Sequence, residues 1–182
     1  LEREWPLLDE VLGSGPSRRI LELGSGTGEH ARFLGSRGYS VVAVDSSEAQ
    51  IGESREALQE REPVEFVLGD MRELERNVDG TFGAAFCVGN ALPHVTALED
   101  VEAVARGLRA RLGEDAPFLL QILNYERIIG KKERFLPITI TPREDGGESV
   151  LVRLMEPRDD GTVIFYPTTM RLVPEADPPV EI

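Results

Sequence analysis

Arg19-Ile20-Leu21-Glu22-Leu23-Gly24-Ser25-Gly26-Thr27-Gly28 is a short apolar run leading straight into three glycines at alternate positions. The run from Ile20 to Leu23 predicts a buried strand, the glycines a tight turn, and Glu29 the start of a helix. Glycine is required where the backbone takes positive φ or where a ligand approaches closely. A helix opening at that point directs unsatisfied N–H groups at whatever sits over the turn. The stretch therefore predicts a ligand cradle at the end of a first strand.

Strand and helix alternate outward from it. Trp5–Leu12 has helical spacing and stops at Gly13-Ser14-Gly15-Pro16. After the turn, a helix from Glu29 to Arg37 is closed by Gly38. Tyr39–Val44 reads as a second buried strand ending on Asp45, and Ser46-Ser47-Glu48 as the cap of a helix running to about Glu60. Val64–Leu68, Thr81–Val88 and Phe118–Leu123 read as strands three to five, ending at Gly69-Asp70-Met71, Gly89-Asn90 and Asn124-Tyr125. Leu98–Leu112 reads as the helix before the fifth strand.

This alternation predicts an α/β fold, a doubly wound and mostly parallel sheet. The polar features fall at the C-terminal ends of the strands, where open α/β sheets bind ligands. Beyond Tyr125, the segments Phe135–Thr141, Ser149–Met155 and Thr162–Leu172 alternate or are rich in β-branched residues, and turn-like residues join them. They predict an antiparallel meander, followed by an irregular, proline-rich end over Val173–Ile182. The expected organisation is one domain, a ligand-binding core over 1–128 with a β insertion over 129–182.

Composition narrows the function. At 182 residues, 41% hydrophobic and 29% charged, the chain is an ordinary globular one, with no apolar run of membrane-spanning length. Its net charge of −13 argues against nucleic acid as a partner. A small basic group, Lys131, Lys132 and Arg134, reads first as a solvated loop. Cys87 is the sole cysteine, which excludes an intramolecular disulfide and a cysteine-cluster metal site. It sits in an apolar run and reads as a buried, inert thiol, with the cytoplasm the simplest compartment.

Spacing separates the ligands such a cradle can hold. A dinucleotide site uses G-x-G-x-x-G, with pyrophosphate at the helix N-terminus. Here the pattern is G-x-G-x-G, and Glu29 stands where the third dinucleotide glycine belongs. A carboxylate there repels pyrophosphate, and Glu22 adds a second one nearby. A ligand carrying an ammonium and a sulfonium suits these charges, and S-adenosylmethionine (SAM) carries both. Asp45 is placed to accept from two ribose hydroxyls. Asp70 is placed to accept from the adenine amino group, and Met71 to lie against the ring.

Glu22-Leu-Gly-Ser-Gly-Thr-Gly28, Asp45, Gly69-Asp70-Met71 and the end of the fourth strand together resemble the class I SAM-dependent methyltransferases, over roughly residues 18 to 125. The resemblance implies a cofactor set of Glu22, Gly24, Ser25, Gly26, Gly28, Asp45, Ser46, Asp70, Met71, Gly89 and Asn90, with no metal. Phe86-Cys-Val-Gly-Asn-Ala-Leu-Pro-His94 and Leu123-Asn-Tyr-Glu-Arg-Ile-Ile129 look like segments of the glycine and sarcosine N-methyltransferase group. That likeness implies a small-molecule acceptor, an amine favoured, contacted by Asn124. His94 and Tyr125 are the candidates for a base, and Arg153 or Arg171 for a partner to an acceptor carboxylate.

Each residue also has a plainer reading. Asp45 and Asp70 alone are as readily turn or cap residues; Asn90 is a turn residue, and His94 after Pro93 a structural histidine. The last helix and strand pair that follow the fifth strand in that fold are not recognisable. This leads to the expectation that either the C-terminal part of the fold is missing or the edge is supplied by a partner subunit, and the start at Leu1 to the expectation that the true N-terminus is missing. The alternatives in function are a non-catalytic SAM-binding subunit, a protein or RNA methyltransferase and, remotely, a nicotinamide oxidoreductase.

Overall fold

β1 (Arg19–Leu23) lies at the centre of a five-stranded sheet of order β3-β2-β1-β4-β5. Its neighbours are β2 (Ser40–Asp45) and β4 (Ala84–Cys87), both parallel to it, with Glu22 beside Ala43 on one side and Phe86 on the other. β3 (Val64–Leu68) and β5 (Phe118–Leu120) form the two edges, also parallel. The chain winds outward from β1 through β2 to β3, then crosses back to β4. The reversal opens a crevice beside the C-terminal end of β1. These coordinates are a computed structural model describing residues 1–59, 62–143, 145–173 and 180–181.

The period of two along the strands divides the core into two layers. Ile20, Val41, Ala43, Ala84 and Phe86 face one side, against α1 (Trp5–Leu12), α2 (Glu29–Ser36) and α3 (Glu48–Glu56). Leu21, Leu23, Val42, Val44 and Ala85 face the other, against α4 (Leu74–Asn77) and α5 (Leu98–Arg111). Each fully buried leucine or isoleucine there contributes about 1.5–3 kcal/mol. Pro6 lies in the first turn of α1, where its missing N–H needs no partner. Trp5 packs edge-on against Phe33 at 5.7 Å, with the Arg37 guanidinium 4.8 Å from both ring centres.

By Cα proximity the chain forms two compact units, Leu1–Ile122 and Leu123–Ile182. The second holds the antiparallel meander expected after the fifth strand, ordered β6 (Thr139–Pro142), β7 (Glu148–Pro157), β8 (Val163–Leu172) and β9 (Val180–Glu181). β7 and β8 make a ten-pair hairpin whose turn is fixed by Asp160, which accepts from the Thr162 N–H and hydroxyl. Of the end expected to be irregular, Val180–Glu181 instead pairs with β8 as β9, while residues 174–179 and 182 lie outside the described residues; α3 closes at Glu56 on Ala57, short of the expected end near Glu60, which lies outside them too.

The structure corrects three local readings. A helix, α6 (Tyr125–Lys131), precedes the meander, capped by Asn124, whose side-chain oxygen accepts from the Arg127 N–H at 2.8 Å. β5 closes at Leu120, three residues before the expected end at Leu123, and β4 spans four residues, with Phe82 making only an isolated bridge to Leu112. A 3₁₀ turn at Met71–Glu73 and then α4 fill the connection after β3. Among the described residues, no helix is long and apolar enough to cross a membrane.

Candidate cofactor site

The glycine turn is held by the strand beside it. Gly24 and Ser25 donate their N–H groups to the Val44 carbonyl at 2.8 and 3.1 Å. The three glycines then do different work, although all have positive φ. A Cβ on Gly24 would lie 2.2 Å from that of Ala91, so the turn passes directly under the loop after β4. A Cβ on Gly28 would strike the Phe66 ring at 2.3 Å, which makes Gly28 a packing glycine at the start of α2. At Gly26 a Cβ would meet only Gln50 Oε1, at 3.6 Å. Gly26 thus leaves open space on the ligand side.

Asp45 ties the turn to α3. Its Oδ2 accepts from the Gly26 N–H at 2.8 Å and its Oδ1 from the Ser47 N–H at 2.9 Å. Ser47 caps α3, its hydroxyl accepting from the Gln50 N–H. The carboxylate is half-buried, so each oxygen keeps a lone pair for a further donor.

Glu22 lies just behind the turn, 2% exposed. The Ala31 N–H, one of the unsatisfied amides opening α2, donates to its carboxylate. Oε2 has no partner among the described residues, nor has the buried Ser25 hydroxyl. Burial, then the Asp45 charge, push the Glu22 carboxyl up to about 8. The side chain is therefore a protonated acid at neutral pH, which corrects the expectation that Glu22 adds a second negative charge near the ligand.

Asp70 follows β3 and is bound by Arg72. The arginine donates its backbone N–H to Oδ1 at 2.8 Å and its Nη2 to Oδ2 at 2.6 Å, with Nε between the two oxygens at 3.0 Å from each. Its Nη1 reaches Asp100 Oδ2 at 3.0 Å, in the first turn of α5. The guanidinium holds the Asp70 carboxyl below the usual carboxylate range.

These groups meet in one cleft of about 520 Å3 at the C-terminal ends of the strands, a size suited to a small organic ligand. Of the residues expected from sequence, Gly24, Gly26, Asp45, Ser46, Asp70, Met71, Gly89 and His94 line it. Glu22, Ser25 and Gly28 belong to the turn but are not in the lining, and neither is Asn90, left-handed at φ 68° beside Gly89. His94 ends a 3₁₀ turn, Leu92–His94, and is exposed. Asn124 and Tyr125 belong to the second unit, as do Arg153 and Arg171. There Asn124 is the cap of α6, and Arg153 Nη2 donates to the Pro137 carbonyl at 2.7 Å.

The lining also contains residues that sequence reasoning passed over: Ser47, Gln50, Arg72, Val95, Thr96 and Asp100. Arg72 had one usable signal, its position two after Asp70, within reach of the same carboxylate. Its charge is taken up by Asp70 and Asp100, so with Asp45 the cleft keeps a net negative balance.

Residues 20–115 match the family described as "Methyltransferase domain". Among curated relatives, the glycine/sarcosine N-methyltransferase of Parasynechococcus marenigrum is 27% identical over 129 residues, 70% of this chain and 46% of that protein. The enzyme of the same name from Aphanothece halophytica is 28% identical over 114 residues, 62% of this chain and 43% of that protein. The chain thus spans under half the length of these relatives. Among solved structures, CalS10, a SAM-bound amino pentose methyltransferase from Micromonospora echinaspora, superposes with a TM-score of 0.67 at 19% identity. That match covers 93% of this chain and 75% of that one, and speaks for a shared fold.

Proposed function

We propose that this chain, which belongs to the methyltransferase-domain family, transfers the methyl group of SAM to an amine nitrogen of a small molecule. The observation that carries the reading is the cleft, with Asp45 braced by the Gly26 and Ser47 amides and, among the described residues, the guanidinium of the lining, Arg72, committed to Asp70 and Asp100. Such a site favours a cationic ligand with vicinal hydroxyls over a pyrophosphate.

The residues present fit SAM. A Cβ on Gly89 would project into open space and one on Gly26 would touch only Gln50 Oε1 at 3.6 Å, so the cleft floor there is bare backbone that a ligand can approach. The Glu22 Oε2 and Ser25 hydroxyl are buried polar atoms at the turn with no partner among the described residues. Gly24, Ser25, Gly26 and Glu22 would hold the methionine part, Asp45 and Ser46 the ribose, and Asp70 and Met71 the adenine. Bound there, SAM supplies a methyl group on a positively charged sulfur that is already a good leaving group.

The chain's own part is positioning. Fixing donor and acceptor in line accounts for roughly 7–11 kcal/mol of a barrier in favourable cases. An amine attacks only in its neutral form, so a group that takes its proton speeds the step. His94 is the expected base that lines the cleft and is open to an entering acceptor. The amine preference is supported by the names of the relatives, two N-methyltransferases and an amino pentose methyltransferase. A buried single thiol and the acidic surface fit a cytoplasmic enzyme with a small-molecule partner.

Release of S-adenosylhomocysteine from SAM, measured across panels of amines, alcohols and thiols, tests the reading. Turnover with an amine is expected, and His94→Ala should lower kcat by about 10²-fold or more. SAM binding without turnover on any acceptor would replace the enzyme with a binding subunit.

A further inference from the structure

Arg72 spends four of its donors on two carboxylates that line the same cleft. We infer that Arg72 is a positioning residue for adenine recognition: it locks the Asp70 carboxylate so that one lone pair alone is offered to the base. The inference rests on the reading of the cleft as a SAM site.

An ionised carboxylate has about four acceptor directions. Oδ1 of Asp70 takes two donors, the Arg72 backbone N–H at 2.8 Å and Nε at 3.0 Å. Oδ2 takes Nη2 and shares the same Nε–H from 3.0 Å. Three N–H groups thus occupy the carboxylate, one of them shared between its oxygens, and one of the four directions is left uncommitted. It accepts one N–H and cannot donate, because the arginine keeps the group ionised. The 6-amino edge of adenine matches that requirement. A base with a 6-oxo group presents a second acceptor to the same carboxylate and is rejected.

Asp100 completes the device. It holds Nη1 at 3.0 Å from the first turn of α5, so the fork cannot swing away from Asp70 without breaking a second ion pair. Arg72 thereby joins the end of β3 to the start of α5 along the rim of the cleft. The planar, rigid guanidinium makes this geometry possible; a lysine ammonium is a point charge on a flexible stem and cannot span both partners. The three side chains are 46%, 30% and 37% exposed, and exposed ion pairs add little to stability. The effect on the fold and the effect on recognition are therefore separable.

The test is calorimetric binding of two probes, S-adenosylhomocysteine and S-inosylhomocysteine, which differ by the 6-amino and 6-oxo groups, with unfolding temperatures recorded on the same samples. Wild type should prefer the adenosyl probe by at least about 100-fold. Arg72→Gln should weaken the adenosyl probe by about tenfold and shrink the preference by a similar factor, at a nearly unchanged unfolding temperature. Arg72→Lys should recover only part of the preference, and Asp100→Asn should fall between Arg72→Gln and wild type. An unmoved preference in Arg72→Gln overturns the inference, as does tighter binding of the adenosyl probe, which would mean that Arg72 competes for Asp70. Failure of wild type to bind either probe overturns the SAM reading itself, and the inference with it.

Discussion

Replacing Glu22 with glutamine should change how stability depends on pH. The carboxyl is 2% exposed, and burial moves it from an ordinary value of 4.5 up to about 8. Between those values the unfolded chain has lost the proton that the folded chain keeps. Stability therefore falls as pH rises through that window, and is fully present below 4.5. The window is about 3.5 pH units wide (from 4.5 to 8), and each unit is worth about 1.4 kcal/mol, so the penalty on this carboxyl above pH 8 is on the order of 5 kcal/mol. Glutamine has the same shape and no titration, so the variant escapes the penalty. Urea unfolding at pH 5 to 9 measures this through Trp5, the sole tryptophan, which packs in the same unit as Glu22. Near pH 5 wild type and Glu22→Gln should differ little. By pH 9 the variant should gain several kcal/mol on wild type. Parallel profiles, with a constant difference from pH 5 to 9, would refute a protonated Glu22.

Other outcomes follow from the same geometry. Gly28→Ala should destabilise by about 2–4 kcal/mol, since its Cβ would meet the Phe66 ring at 2.3 Å, whereas Gly89→Ala, also at positive φ but in open space, should cost about 1–2 kcal/mol; urea titration separates them. Cys87 is buried with its thiol pushed up to about 11, so at pH 8 the native protein should resist alkylation that proceeds readily in urea; mass spectrometry after a timed iodoacetamide pulse reads this directly. Asp45→Ala leaves the Gly26 and Ser47 amides without their charged acceptor and should lower stability by about 1–3 kcal/mol in denaturant titration.

Much of the cofactor-site unit was legible because its signals are local. Ile20–Leu23 ahead of three glycines, and Val41–Val44 ahead of Asp45, are buried strands ending on polar residues, and the structure places both at the crevice. Less legible were features set by distant neighbours. Nothing near Gly28 in sequence reveals that Phe66 occupies the space of its missing Cβ. Arg72 reads as one more solvated charge until folding brings Asp100 beside it, 28 residues later. α6 escaped because it is seven residues long with one buried side chain, Ile128, too short to display a helical period. The asparagine that suggested an acceptor contact is the residue that caps it. α4 was hidden similarly, with Leu74 its sole buried residue amid charges.

The central claim is that the cleft beside the glycine turn holds SAM. Isothermal calorimetry with SAM and with NAD, on wild type and Asp45→Ala, tests it most directly. The account predicts one SAM site on wild type, loss of at least about tenfold in affinity in Asp45→Ala, and no heat of binding from NAD. Binding of NAD in place of SAM, or SAM affinity unchanged by Asp45→Ala, would contradict it.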